Sequence, residues 1–299
     1  MTDGTKLLAA LAGTPQPLLL GAAVERGAAL SDFQAAASTW GRPIDLPMFF
    51  LCIGRDPLWW SGYPGIVKTL GGDAMHITTD PIGPLSQALD GRWDAWIATE
   101  AKRAVAYGKP VLVRLAHEMN GGGWNSYGFG QESGPDFVRA WQYIVTRFRQ
   151  LGATNLLWCW APNVWTGSGD SNTADPSAYF PGDDYVDFVG LDGYCSLKSA
   201  KARPADLYLA NYATLAALST RPFMLAEFGV AAGRFPPGGK ALWYRELATT
   251  LGQMPRCVSA HQWQRKAAGA DPDYSHDSSG REPDAAAAFA AVVTAPPFA

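Results

Sequence analysis

The chain has 299 residues, 47% of them hydrophobic, with a formal net charge of −3. That is enough apolar material for one large core, and α/β barrels of about 250 residues commonly fold as a single domain. No Lys/Arg run or basic patch occurs, which argues against nucleic acid and membrane surfaces as partners.

Residues 1–12 lack a charged segment followed by a long apolar stretch and a cleavage site, so no signal peptide is visible. Leu7 to Leu11 is too short to cross a bilayer. The expectation is a soluble protein, either secreted with its leader trimmed or cytoplasmic or phage-borne. Strand-like apolar runs then recur along the chain. The first covers 17–24 and ends at Glu25, and Asp32 opens a helix over 30–40. The second is 48–53, ending at Arg55 and Asp56, followed by Trp59, Trp60, Tyr63 and a helix to Leu70. The third is 74–79, ending at Asp80-Pro81. Residues 90–107 form an amphipathic helix with Trp93, Trp96, Ile97, Ala101, Ala104 and Val105 on one face.

The fourth run, Val111-Leu112-Val113, leads into His117-Glu118-Met119-Asn120 and then three glycines. A helix is expected over 135–151. The fifth strand, 156–160, ends at Pro162-Asn163, and a long polar loop over 166–184 follows. The sixth, 186–191, ends at Asp192-Gly193-Tyr194 and precedes a helix over 205–219. The seventh, 222–226, ends at Glu227 and precedes a helix over 239–251. The eighth is 257–263, and the last helix is expected over 282–293. Eight strands alternating with helices predict a parallel sheet, and eight is the number that closes a (β/α)8 TIM barrel. Gly21 to Glu25 does not match the GxGxxG turn of a doubly wound dinucleotide fold. No linker or shift in composition appears, so residues 1–299 are read as one domain with its barrel core over about 17–295. Cys52, Cys159, Cys195 and Cys257 form no CxxC or Cys/His cluster and are expected as buried thiols, without a metal or cofactor.

In such barrels the active site lies at the C-terminal ends of the strands. Residues ending the runs there include Asp80, His117, Glu118, Asn120, Asn163, Asp192, Tyr194, Glu227 and Trp263. Glu118 and Glu227 follow strands four and seven, which face each other across the mouth. Two carboxylates across a cleft are the requirement of glycoside hydrolysis. One protonates the leaving oxygen, and the other attacks the anomeric carbon or activates water. The 12 Trp, 11 Tyr and 13 Phe fit such a substrate, because aromatic rings stack on sugars. Trp59, Trp60, Tyr63, Trp124, Tyr127 and Trp165 fall in loops on this side and are candidates for sugar subsites.

The segment Arg114-Leu-Ala-His117-Glu118-Met119-Asn120-Gly121 resembles the acid/base motif of glycoside hydrolase family 26. Ala226-Glu227-Phe228-Gly229 resembles the nucleophile segment of that family. Tyr185 to Tyr194 is similar to its sixth strand, Phe180 to Asp184 to the approach to that strand, and Trp158 to Asn163 to its fifth. The likeness runs from about Gly21 to Trp263. It implies a retaining (β/α)8 hydrolase with Glu118 as acid/base and Glu227 as nucleophile. It further implies that His117 binds substrate and positions its neighbours, that Tyr194 keeps the nucleophile ionised, and that Trp263 floors the reacting subsite.

Two stretches depart from the family. Gly121-Gly122-Gly123 precedes Trp124 where the family usually carries aromatics almost at once, and strand three ends Thr78-Thr79-Asp80-Pro81 where many members carry an aromatic followed by Glu-Pro. Both touch substrate loops. The expected substrate is a polysaccharide or oligosaccharide, with β-1,4-mannan first, and the expected enzyme an endo-mannanase-like monomer. β-1,3-Xylan, mixed-linkage β-glucan and a bacterial exopolysaccharide are the alternatives, with transglycosylation as another use of the same intermediate. A non-catalytic carbohydrate-binding pseudo-hydrolase is the reading from another class.

Overall fold

In the computed structural model the described residues are 2–24, 29–54, 62–165, 173–197, 199, 202–235, 238–264, 273–275, 282 and 284–299. Glu25, Arg55, Asp56, Trp59 and Trp60 lie outside them. Eight parallel strands close a barrel in chain order: β1 (Leu19–Val24), β2 (Leu46–Cys52), β3 (Met75–Asp80), β4 (Val111–Leu115), β5 (Leu156–Trp160), β6 (Phe188–Cys195), β7 (Phe223–Val230) and β8 (Cys257–Gln264). Helix α1 (Asp3–Leu11) precedes the barrel. The helices between and after the strands are α2 (Leu30–Trp40), α3 (Tyr63–Thr69), α4 (Asp94–Tyr107), α5 (Gly134–Gln150), α6 (Pro204–Leu218), α7 (Gly239–Gly252) and α8 (Ala285–Val293). Among the described residues no helix is long and apolar enough to cross a membrane.

Alternation along each strand sorts its side chains into two cores. On β5, Leu156, Trp158 and Trp160 pack outward beneath the helices, while Leu157 and Cys159 point into the barrel. The inner apolar layer is small and sits at the strands' N-terminal ends, where Leu19, Leu46, Leu112 and Phe188 meet Leu7 and Ala10 of α1. That helix therefore plugs the floor of the barrel. Its start is held by Thr2, whose hydroxyl accepts from the Thr5 amide at 3.3 Å.

Two expectations are corrected by packing. The helix expected from residue 90 begins at Asp94, because residues 85–90 form a separate 3-10 turn closed by Gly91. Val105 lies off the buried face at 50% exposure, and the position that completes that face is Glu100, fully buried and bonded to Arg103 at 2.6 Å. Periodicity alone does not identify a charged residue as part of a buried stripe.

Above the apolar floor the barrel turns polar. His76 of β3 and His261 of β8 meet Nδ1 to Nδ1 at 3.2 Å, and His261 Nε2 lies 3.0 Å from the Ser259 hydroxyl. Burial, reinforced by the Arg114 charge, pushes His261 down to about 3. Burial also pushes His76 well below the usual imidazole range. Both rings are thus neutral, so one can donate to the other. Gly21 makes room for them, because a Cβ there would lie 2.0 Å from His261 Nδ1. Gly21→Ala is expected to cost about 1–3 kcal/mol by overpacking, measured by denaturant unfolding. Because the folded pKa of His261 lies below the ordinary value of about 6.5, its contribution to stability is present above that pH and is lost as pH falls toward 3. Thermal melting should therefore drop between pH 6.5 and 4, and less steeply in His261→Gln.

Candidate active site

The polar layer rises to Arg114, a charged residue within the apolar run of β4. Leu112 faces into the barrel, so alternation sends Arg114 inward too, where it is fully buried. Its guanidinium donates to Asp192 Oδ1 at 2.6 Å, to Glu227 Oε1, and through Nε to the Thr78 hydroxyl at 3.0 Å. Burial opposes a charge here, but the carboxylates of Asp192 and Glu227 outweigh it and hold the guanidinium protonated.

Glu227 reaches this network through a bulge. Met224 and Ala226 face the interior while Leu225 and Phe228 pack outward, so strict alternation would send Glu227 out. The β6–β7 register shifts between Leu191 and Asp192: Leu191 pairs with Leu225, but Asp192 pairs with Glu227. One extra residue on β7 turns the Glu227 carboxylate inward, which is how bulges beside active sites commonly act. The strand then continues to Val230 rather than ending at Glu227 as expected. Tyr194, inward-facing on β6, donates its hydroxyl to Glu227 Oε2. Burial, with the Glu227 charge behind it, holds that phenol well above its usual range and so keeps it a donor.

Glu118 arrives by strain rather than by a strand. β4 ends at Leu115, and Ala116 and Glu118 have φ of 43° and 53°, left-handed values that cost non-glycine residues on the order of 1–3 kcal/mol each. The Glu118 amide donates to Ala161 O at 2.8 Å and pins the turn to the end of β5. Its carboxyl accepts from Asn163 Nδ2 at Oε1 and from Trp124 Nε1 at Oε2, the latter at 2.9 Å. Burial raises the Glu118 pKa and the nearby Glu227 charge adds to this, outweighing the lowering by His117, Asn163 and Arg114. The two carboxylates therefore have different surroundings. Glu227 is anchored by a guanidinium and a phenol, and Glu118 is a half-buried acid held by neutral donors.

His117 Nδ1 lies 2.9 Å from Asp80 Oδ1, which also accepts from the Tyr127 hydroxyl at 2.8 Å. Burial pulls the imidazole down, but the Asp80 carboxylate more than compensates and raises it to about 9, so the ring is cationic at neutral pH. His117, Asp192 and Glu227 bring ligand atoms within 4.8 Å of one another. The set does not fit a metal, because the Arg114 guanidinium already bridges the two carboxylates and the imidazole is bonded to Asp80.

These groups border an open cleft of about 610 Å³ that has Glu118, Glu227, His117, Asn163, Tyr194, Trp124 and Trp263 on its walls. Phe50, Val164, Ser196 and Tyr274, none of them expected at the site, complete the lining. Phe50 and Trp263 meet edge to face at 5.1 Å, and Tyr274 lies 4.9 Å from Tyr194. Alternation on β2 puts Met48 and Phe50 inward, and this was a usable signal for Phe50. Tyr274 comes from the connection after β8, where no periodicity exists.

Five residues expected to touch substrate sit elsewhere, two of them Tyr127, buried with its hydroxyl on Asp80, and Tyr63, packed against the outer core. Asn120 is fully buried, donates to Asn163 O and Ala174 O at 2.8 and 3.0 Å, and accepts from the Asn163 amide at 2.8 Å. It clamps the strand end that presents Asn163 to Glu118. Asp192 is buried beneath the cleft against Arg114. Trp165 packs against the outer core, with its amide on Asn211 Oδ1 at 3.3 Å.

A closed parallel barrel with two carboxylates in contrasting environments at one mouth is the architecture of retaining glycosidase barrels. Residues 77–242 match glycosyl hydrolase family 26, and the chain belongs to that family. Endoglucanase H of Acetivibrio thermocellus is 30% identical over 260 residues, 83% of this chain and 27% of that protein. A mannan endo-1,4-beta-mannosidase A and B of Caldalkalibacillus mannanilyticus is 33% identical over 169 residues, 53% of this chain and 29% of that one. The chain thus spans less than a third of the length of either relative. The catalytic domain of a Bacillus sp. JAMB-750 endo-beta-1,4-mannanase shares the fold at a TM-score of 0.73, with 17% identity over all of this chain and 91% of that one.

Arg114→Met would leave Asp192 and Glu227 buried without their counter-charge. Its expected cost is about 3–5 kcal/mol in denaturant unfolding.

Proposed function

We propose that the chain is a retaining endo-β-glycosidase acting on a β-linked polysaccharide by double displacement. The observation that carries this is the contrast between Glu118 and Glu227 at one cleft. Glu227, oriented by Arg114 and Tyr194, attacks the anomeric carbon as the glycosidic C–O bond breaks. Glu118, a half-buried acid of raised pKa, passes its proton to the departing oxygen. With that proton gone, Glu118 accepts one from water, which attacks the glycosyl-enzyme and releases Glu227. Trp263 gives the reacting sugar a flat apolar face. Family membership supports retention of configuration.

β-1,4-Mannan is the first substrate, supported by the mannosidase relative and by the shared fold of the mannanase domain. A β-glucan is the second reading. The endoglucanase relative aligns over 83% of this chain, against 53% for the mannosidase.

The test is product analysis on mannan, β-1,3-xylan and mixed-linkage β-glucan with wild type, Glu118→Ala and Glu227→Ala. Glu118→Ala should lose about 10²–10⁴-fold on the polysaccharide and much less on an aryl glycoside with a good leaving group, with azide restoring turnover. Glu227→Ala should be inactive on both. A wild type that binds these polymers and cleaves none would refute the enzymatic reading.

A further inference from the structure

The tripeptide Gly121-Gly122-Gly123 and Trp124 stand where this chain departs from the family pattern, and they touch the acid directly. Trp124 is 42% exposed at the cleft, yet its indole N–H is spent on Glu118 Oε2 at 2.9 Å. Its ring lies over Gly121, where a Cβ would come within 1.9 Å of the indole. No other residue type fits beneath the ring without moving it. The opposite oxygen, Oε1, accepts from Asn163, which Asn120 clamps from behind. Glu118 is therefore gripped on both oxygens by neutral N–H donors, one rigid and one on an exposed side chain.

We propose that Trp124 is a positioning residue for the acid/base, its indole N–H orienting Glu118 and stabilising the carboxylate left when the proton passes to the departing oxygen, in a seat made by Gly121. This rests on the glycosidase reading for the role of Glu118, but the contact itself does not. A donor to the charged form lowers a carboxyl pKa. Asn163 offsets part of the rise that burial imposes, and the Trp124 N–H, bonded to the other carboxylate oxygen, acts in the same direction and keeps the acid able both to give its proton and to act as a base in the second step. The other titratable groups facing Glu118 are His117, Arg114, Asp192, Glu227, Tyr127 and Tyr194. None of them loses a contact when only the indole N–H is removed.

Two measurements decide it. In ¹⁵N-labelled full-length protein, the Trp124 indole signal, identified by its loss in Trp124→Phe, should move as pH is raised through the Glu118 titration. That step should be missing in Glu118→Gln. An indole signal that does not titrate, or a step that survives in Glu118→Gln, overturns the proposal whatever the substrate proves to be. On the cleaved polysaccharide, Trp124→Phe and Gly121→Ala should each move the basic limb of kcat/KM upward by about half to one pH unit. A raised KM on long oligomers with an unmoved basic limb would make Trp124 a stacking platform alone, and overturn the proposal. A wild type inactive on every glycan would refute the glycosidase reading while the indole titration still reports on the contact.

Discussion

The buried guanidinium of Arg114 is the interaction on which the rest of the site depends. It joins β4 to β6 through Asp192 and to β7 through Glu227, so three strands share one charge at the centre of the barrel. Taking these groups out of water costs several kcal/mol per ion, and only dense hydrogen bonding offsets that. Thr78 occupies a third face of the guanidinium, and the neutral His76–His261 pair lies beneath it. The fully apolar layer is correspondingly shallow and confined to the floor closed by α1. Much of the barrel's interior packing serves to hold the Glu227 carboxylate in place.

Two local irregularities aim the two carboxylates. A bulge in β7 turns Glu227 inward, against the strand's own alternation. Left-handed backbone at Ala116 and Glu118 lifts the second carboxyl over the mouth. Both devices carry an energetic cost that a surrounding network must overcome. For Glu227 that network is Arg114 and Tyr194. For Glu118 it is Ala161, Asn163 and Trp124. The networks differ in charge, and this gives the two carboxylates the contrasting surroundings on which the proposed mechanism rests.

The loops then individualise a family scaffold. Asp80, where relatives often carry Glu-Pro after an aromatic, binds both His117 and Tyr127 and makes the imidazole cationic. Gly121 admits the ring of Trp124. These substitutions lie within hydrogen-bonding distance of the reacting groups. They therefore set the hydrogen bonding of His117 and Glu118 as well as the shape of the cleft.

By itself the sequence determined the barrel, the strand count and the two carboxylates. Eight apolar runs spaced by helices leave few parallel architectures, and residues that end strands four and seven must share a mouth. The resemblance in the fourth- and seventh-strand motifs assigned each carboxylate its role. Only the tertiary structure decided which neighbours matter. Asn120, Asp192 and Trp165 looked like substrate contacts, but they are turned into the protein by backbone clamps, an ion pair and the outer core. Arg114 and the histidine pair were visible as polar interruptions of apolar strands, yet the carboxylates that hold Arg114 and the ring that faces each histidine lie 78 to 185 residues away. The bulge at Glu227 left no trace in hydrophobic pattern, because it is set by pairing between strands. Contacts of that separation are fixed when the barrel closes, and local periodicity carries no record of them.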